Sequence, residues 1–287
     1  MAVKAFVETI PPLVGSSLRY LIASVVLAGV LLARGRLIEK PTLPEVLGSV
    51  LLGAALLGGG TGLLTIAAPH VDASVAALLF ASVPFWMLLL SVFTGSRVAR
   101  SQKMAVVVGF LGVAILFGNQ IGNPSTTNSA LGMGLVLAAA GFWAFASYFF
   151  TAFRRPASFT VGLLVQTLTA FILMGLAAAA AGDYGRFHVS GVSTASWAGL
   201  MFAAVMGSVL GYSAFQRLLA RFPASVVATH TFVNPLVAVI AGAAILGESL
   251  SLLSLLGGLV IVAAVAVAVS GGADTSARGT VVDASPR

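Results

Sequence analysis

The 287-residue sequence contains no cysteine, which removes both a disulfide framework and a thiolate metal site. Charge is nearly as scarce. Asp, Glu, Lys and Arg make up 8% of the chain, against about 25% in soluble domains. The acidic residues fall at the ends of apolar runs, in connecting segments or in tails, so no cluster of carboxylates at depth offers catalysis or metal binding. The sequence also lacks a Walker A motif, an HExxH pair and a Gly-rich dinucleotide loop, so ATP-driven transport, zinc proteolysis and nucleotide cofactors lose their usual signatures. No catalytic residue, metal or cofactor is expected.

What the chain has instead is apolar length. Hydrophobic residues form 59% of it, with a mean hydropathy of +1.07, which places it in a membrane. A bilayer core about 30 Å thick needs about 20 apolar helical residues, and nine segments qualify or come close: 13–33, 46–68, 74–94, 104–118, 131–153, 159–181, 196–217, 224–247 and 252–270. Runs of this length, rich in Ala, Gly and Leu, exclude barrel strands of about 9 to 11 alternating residues. The fold class is therefore all-α, a polytopic helix bundle.

The stretch from Glu45 to Pro84 recurs from Ser196 to Pro235 at a constant offset of 151. Gly48, Gly60, Ala73, Ser74, Val75, Ala77 and Pro84 meet Gly199, Gly211, Ala224, Ser225, Val226, Ala228 and Pro235. Five crossings separate the two starts. An odd number makes the copies face opposite ways, the inverted-repeat plan of secondary transporters. The domains expected are a first repeat, 1–122, a second, 123–272, and a disordered tail, 273–287.

A net charge of +7 raises the question of nucleic acid, but the basic residues are dispersed over short loops. Threading nine spans puts Arg34, Arg36, Lys40, Arg97, Arg100, Lys103, Arg154, Arg155, Arg217, Arg221, Arg278 and Arg287 on one side. Only Lys4 and Arg186 fall opposite, and Arg19 lies within a span. The positive-inside rule makes the first side, and the C-terminus, cytoplasmic. The second half has five spans and the first has four, so Met1 to Ile10 reads as the outer end of a first helix that this sequence lacks. A nine-span protein with an external amino terminus is the alternative.

Function is sought among polar groups that a membrane makes costly. Arg19 lies within its span, where an arginine costs about 2.5 to 3.5 kcal/mol on insertion scales. It is read either as the partner of an anion in a central cavity or as a side chain that snorkels or caps carbonyls. His230 and Asn234, four apart, share a helix face, and their repeat counterparts are Leu79 and Val83. The histidine suits proton transfer near neutral pH, and an interhelical hydrogen bond is the other reading. Ser208, Tyr212 and Gln216 form a stripe whose repeat partners include Thr61 and Thr65. Trp143, Ser147 and Thr151 form a second, with Gln166 and Thr169 on the next span. Pro84 and Pro235 each remove a backbone donor within a span, as gates or as tolerated kinks. The glycines from Gly48 to Gly62 are read as close-packing positions.

These residues resemble the EamA group of the drug/metabolite transporter superfamily over nearly the whole chain. The resemblance is carried by PPLVGSSLRY at 11–20, DASVAALLFASVP at 72–84, GFLGVAIL at 109–116, ASVVATHTFVNP at 224–235 and LGESLS at 246–251. Two departures stand out: the first span is absent, and Gly95-Ser96 stands where the family often has Gly-Glu, kept here as Gly247-Glu248. The resemblance implies ten helices in two inverted halves, a multi-pass plasma-membrane location, and export or import of small metabolites such as amino acids by proton coupling or exchange. Arg19, Trp143, Gln166, Tyr212, Gln216, His230 and Asn234 are the candidate substrate-binding residues, with Pro84 and Pro235 as gates. The partners expected are a small-molecule substrate and the lipid bilayer, with a second copy in a homodimer as a further candidate, and no nucleic acid. A channel or scaffold, and a membrane-embedded enzyme, are the competing classes.

Overall fold

The computed structural model describes residues 2–33, 40–71, 73–96, 100–116 and 129–234, and residues 256–267 apart from 258 and 265. Helix dominates throughout. In chain order the elements are α1 (Ala2–Val7), α2 (Pro12–Ala33), α3 (Leu43–Ala67), α4 (Ala73–Phe80), α5 (Val83–Phe93), α6 (Arg100–Leu116), α7 (Ala130–Tyr148), α8 (Phe159–Ala180), α9 (Thr194–Leu219) and α10 (Ala224–Val227). Residues 230–234 and most of the described residues in 256–267 are also helical. Among the described residues five helices, α2, α3, α7, α8 and α9, are long and apolar enough to cross a membrane.

Local chemistry sets where these helices start. Thr42 and Glu45 form a reciprocal capping box at α3, with Pro44 in its first turn, and Ser193 accepts the Ser196 amide at 3.1 Å to cap α9. Thr42 and Ser193 are equivalent positions of the duplicated sequence, and so are the first residues that follow them, Leu43 and Thr194. Ser129 caps α7 in the same way, accepting from Gly132 at 3.0 Å.

The duplication extends into the backbone. Gly53–Gly62 of α3 and Ala203–Gly211 of α9 are both π-helical, wound more widely than the turns around them. The Tyr212 amide, for example, donates to the carbonyl of Gly207, five residues back. Both stretches are dense in Gly, Ala and other small or aliphatic residues.

The chain divides into two compact units, one of residues 1–76 and 126–221, the other of 77–125 and 222–287, with the division falling inside α4. In the first, α2 packs against α8 and the π stretch of α9, while α3 packs against α7 and α8. Close approach depends on glycine: a Cβ on Gly53 would lie 2.6 Å from the Gln166 carbonyl oxygen, and one on Gly60 would lie 2.8 Å from Trp143 Cε3. Hydrogen bonds tie the same helices. Ser24 Oγ donates to Thr167 Oγ1 at 2.8 Å and Ser17 Oγ to the Phe171 carbonyl at 3.3 Å, both between α2 and α8; each such bond contributes about 0.6 kcal/mol in a membrane. Phe6, Ile10, Val14, Ala178, Leu200 and Ala203 close one end of this unit as a buried cluster that fixes α1 against α9. Val25, Leu51, Phe142, Phe145, Ile172, Leu176 and Met206 remain exposed, an apolar exterior suited to acyl chains rather than water.

In the second unit, Phe232 lies against Gly109 of α6 and Ile261 against Gly112, and Gln102 Nε2 donates to Ser225 Oγ at 3.2 Å. The span expected over 74–94 is two helices, α4 and α5, separated by a turn at Ala81 and Ser82, with Pro84 in the first turn of α5. Proline is tolerated there because the amide it lacks has no helical partner. The span expected over 131–153 ends earlier, at Tyr148, because residues 149–152 turn ahead of Pro156. Thr151 therefore leaves the line that Trp143 and Ser147 share. Pro235, Asp72 and the LGESLS segment lie outside the described residues, as do residues 273–287. The sequence halves are units of duplication, whereas each compact unit draws helices from both halves.

Candidate functional site

The polar residues of the first unit form two connected groups around α2 and α8. In one, Tyr212 and Gln216, a turn apart on α9, both reach Gln166 of α8. Tyr212 donates its hydroxyl to Gln166 Oε1 at 2.5 Å; Gln216 Nε2 donates to the same oxygen, and Gln166 Nε2 returns a bond to Gln216 Oε1 at 3.4 Å. All three are almost wholly buried. A reciprocal carboxamide pair in this setting satisfies itself, and it retains donors and acceptors that can be re-aimed at a third molecule. The ring of Trp143 packs beside it on Phe215, centroids 4.8 Å apart.

In the other group, Arg19 is 8% exposed and donates from Nε to Ser208 Oγ at 2.7 Å. Its Nη2 comes within 3.1 Å of where a Cβ on Gly207 would stand, so the small residues of the π stretch provide the space for a guanidinium. Among the described residues no carboxylate pairs with it; the ion pair found there joins Arg186 to Asp183 at 3.5 Å. The next residue, Tyr20, turns to the opposite π stretch, donating to the Leu57 carbonyl at 3.0 Å and sharing a hydrogen bond with Thr61. Helix α2 thus contacts both widened segments through consecutive side chains.

A cavity of about 240 Å³ adjoins the carboxamide pair, lined by Phe153, Arg155, Pro156, Ala157, Phe159, Gly162, Gln166 and Gln216. It follows the first two turns of α8, a run of about 10 Å between the levels of Phe159 and Gln166. Arg155 lies over the Phe150 ring with its Cζ 4.0 Å from the centroid. Partial burial pushes this guanidinium below the usual arginine range.

The structure thus brings Gln166, Tyr212 and Gln216 together, sets Trp143 beside them and gives Arg19 a separate partner. Of the stripe expected on α9, Ser208 bonds Arg19 whereas Tyr212 and Gln216 bond Gln166. Thr169 bonds back to Val165 within α8 at 2.8 Å. His230, Asn234 and Pro84 belong to the second unit. There His230 Nδ1 and the Val227 carbonyl are 2.8 Å apart, and Asn234 is exposed. Sequence reading missed Tyr20, Ser24, Thr167 and Arg155. A tyrosine deep inside an apolar run was a signal for Tyr20; Ser24 and Thr167 carried none beyond being polar.

Such a bundle, all-helical, apolar outside and polar at isolated points within, defines a multi-pass membrane protein. The chain belongs to the EamA-like transporter family, whose sequence profile matches residues 1–118 and 130–270. It is 30% identical over 268 residues to an uncharacterised inner membrane transporter, YedA, of Escherichia coli K12, an alignment covering 92% of this chain and 84% of that one. It is 30% identical over 276 residues to the uncharacterised transporter YvbV of Bacillus subtilis 168, covering 90% and 82%. A probable amino-acid metabolite efflux pump of Salmonella typhimurium LT2 is 26% identical over 281 residues, covering 94% and 90%. A solved crystal structure superposes with a TM-score of 0.72 at 18% identity, covering 94% of this chain and 92% of the other, which supports the same fold.

Proposed function

We propose that the protein is a secondary active transporter that exports small amino-acid-like or drug-like metabolites across the inner membrane by alternating access. Two inverted halves on a ten-helix plan, coupling by protons or exchange, and a cytoplasmic C-terminus complete the proposal. The observation that carries it is the Gln166, Tyr212 and Gln216 network, buried within apolar helices and adjoining a cavity. A membrane protein retains buried polar groups where a solute must be handled. The name of the Salmonella relative favours amino-acid metabolites and outward movement.

In this reading Gln166, Tyr212 and Gln216 contact substrate directly, Trp143 forms an apolar wall, and Arg19 attracts anionic groups. His230 carries the coupling proton, Asn234 adds polarity on the same helix, and Pro84 and Pro235 mark bends that move. The test is counterflow in proteoliposomes loaded with unlabelled amino acids or their derivatives. Saturable accumulation of labelled compound supports a carrier; linear, non-saturating flux indicates a channel, and no flux for any compound removes the proposal. His230→Ala is expected to abolish the pH dependence of transport, and an unchanged dependence refutes its coupling role.

A further inference from the structure

We infer that the cavity beside Gln166 and Gln216 is a recognition site for a small organic monocarboxylate without a free ammonium group, and that Arg155 binds the carboxylate. The inference narrows the transporter reading from amino-acid-like and drug-like metabolites to acids without an ammonium group, and it rests on that reading only for the statement that the bound molecule is carried.

The charge inventory of the cavity is one-sided. Arg155 is the charged residue among the eight that line it, and none of the eight is acidic. No Asp or Glu occurs on α7, α8 or α9, and Glu45 of α3, the helix that packs against α8 here, lies outside the lining with its carboxylate accepting from the Thr42 amide at 2.8 Å. A zwitterionic amino acid entering here would leave its amino group desolvated and unpaired, which is costly. One guanidinium suits one monoanion, and its planar fork matches a carboxylate through two parallel N–H bonds. Arg155 is held ready for this: its Cζ rests 4.0 Å from the Phe150 ring centroid, and among the described residues it has no ion-pair partner. Partial burial also makes the unpaired cation less comfortable than it would be in water.

The rest of the lining supplies an apolar body and a polar end. Phe153, Pro156 and Phe159 give hydrocarbon and ring surface, and the carboxamides of Gln166 and Gln216 can bond a carbonyl, a hydroxyl or the second face of the carboxylate. An engineered cavity of about 150 Å³ accepts benzene, so 240 Å³ accommodates an aromatic or branched acid of somewhat greater size. Arg217, whose Cζ lies 5.1 Å from the Phe159 ring centroid, is not among the lining residues.

The experiment is thermal unfolding of the purified full chain in detergent, titrated with benzoate, benzamide and phenylalanine, because a ligand specific to the folded state raises stability. Benzoate is expected to stabilise the wild type at a concentration at least about tenfold below the other two. Arg155→Gln should remove that preference, Arg155→Lys should keep part of it, and Arg154→Gln should leave it intact. If Arg155→Gln unfolds, Gly162→Leu serves as the second variant. A Cβ there meets Pro156 Cδ at an ordinary 3.6 Å, so the added bulk fills the cavity and should abolish the benzoate effect. Equal stabilisation by benzamide or phenylalanine, or a benzoate effect that survives either folded variant, overturns the inference. Counterflow of the same probes separates it from the transporter reading: phenylalanine flux without benzoate flux keeps the carrier and overturns the carboxylate site. Arg155-dependent benzoate binding with no flux keeps the site and overturns the carrier.

Discussion

Leu57 and Ser208 occupy the same place in the two copies of the duplicated sequence, and consecutive residues of α2 hold them: Tyr20 bonds the Leu57 carbonyl and Arg19 bonds the Ser208 hydroxyl. Each lies inside a π-helical stretch, so α2 is latched to the two segments whose winding departs most from the ordinary α-helix. Such segments recur at functional sites because a shift of their hydrogen-bond register rotates everything that follows. Tyr212 and Gln216 directly follow the second stretch. A change in its winding would re-aim them both.

Removing the Ser208 hydroxyl strips the buried Arg19 guanidinium of its Nε acceptor. Ser208→Ala is expected to lower stability by about 1–3 kcal/mol, and Ser208→Thr to recover most of it, read as thermal unfolding in detergent. Equal stability of Ser208→Ala and wild type would show that Arg19 finds another acceptor.

Tyr212→Phe removes one hydrogen bond to Gln166 while keeping the ring. The loss of about 1 kcal/mol of orientation corresponds to roughly a fivefold change in apparent affinity for a substrate that Gln166 contacts. Initial rates of counterflow against substrate concentration measure it. A change in maximal rate alone would assign Tyr212 to the conformational step instead.

Gly53→Ala should disturb the site without altering any polar side chain. Its Cβ would fall 2.6 Å from the Gln166 carbonyl oxygen, forcing α3 and α8 apart at a cost of about 1–3 kcal/mol. Gly29→Ala in α2, where the new methyl group would meet nothing beyond its own stretch of helix within 4 Å, is expected to be neutral or slightly stabilising. Paired melting curves test the contrast, and similar effects of both substitutions would mean that close approach to α8 does not set the cost at Gly53.

Long apolar helices were the most legible part of the sequence. The expected spans 13–33 and 159–181 differ by a single residue from α2 and α8, since length, hydropathy and flanking Pro12 and Ser158 mark them locally. The duplication was legible too, and it reappears in the shared caps Thr42 and Ser193. The π winding was not, because Gly, Ala and Leu serve an i→i+5 helix as readily as an i→i+4 one. Ser208 lies within that winding and bonds Arg19, while Tyr212 and Gln216 after it bond Gln166. Arg155 was read for topology alone, since only the fold brings residues 153–157 to the side of Gln166. For Gln166, being polar in an apolar run was signal enough; its partners followed from packing that spacing does not encode.

The absence of cysteine permits the most direct test of alternating access. A single cysteine at Gln216, in the buried network, can be labelled with membrane-impermeant thiol reagents from each face of oriented vesicles. A carrier is expected to expose it from the face bearing Arg154 and Arg155 in one condition and from the opposite face when a substrate gradient is reversed, with saturating substrate protecting it from both. Labelling from one face under every condition, unchanged by substrate, would contradict the account and leave a static cavity in its place.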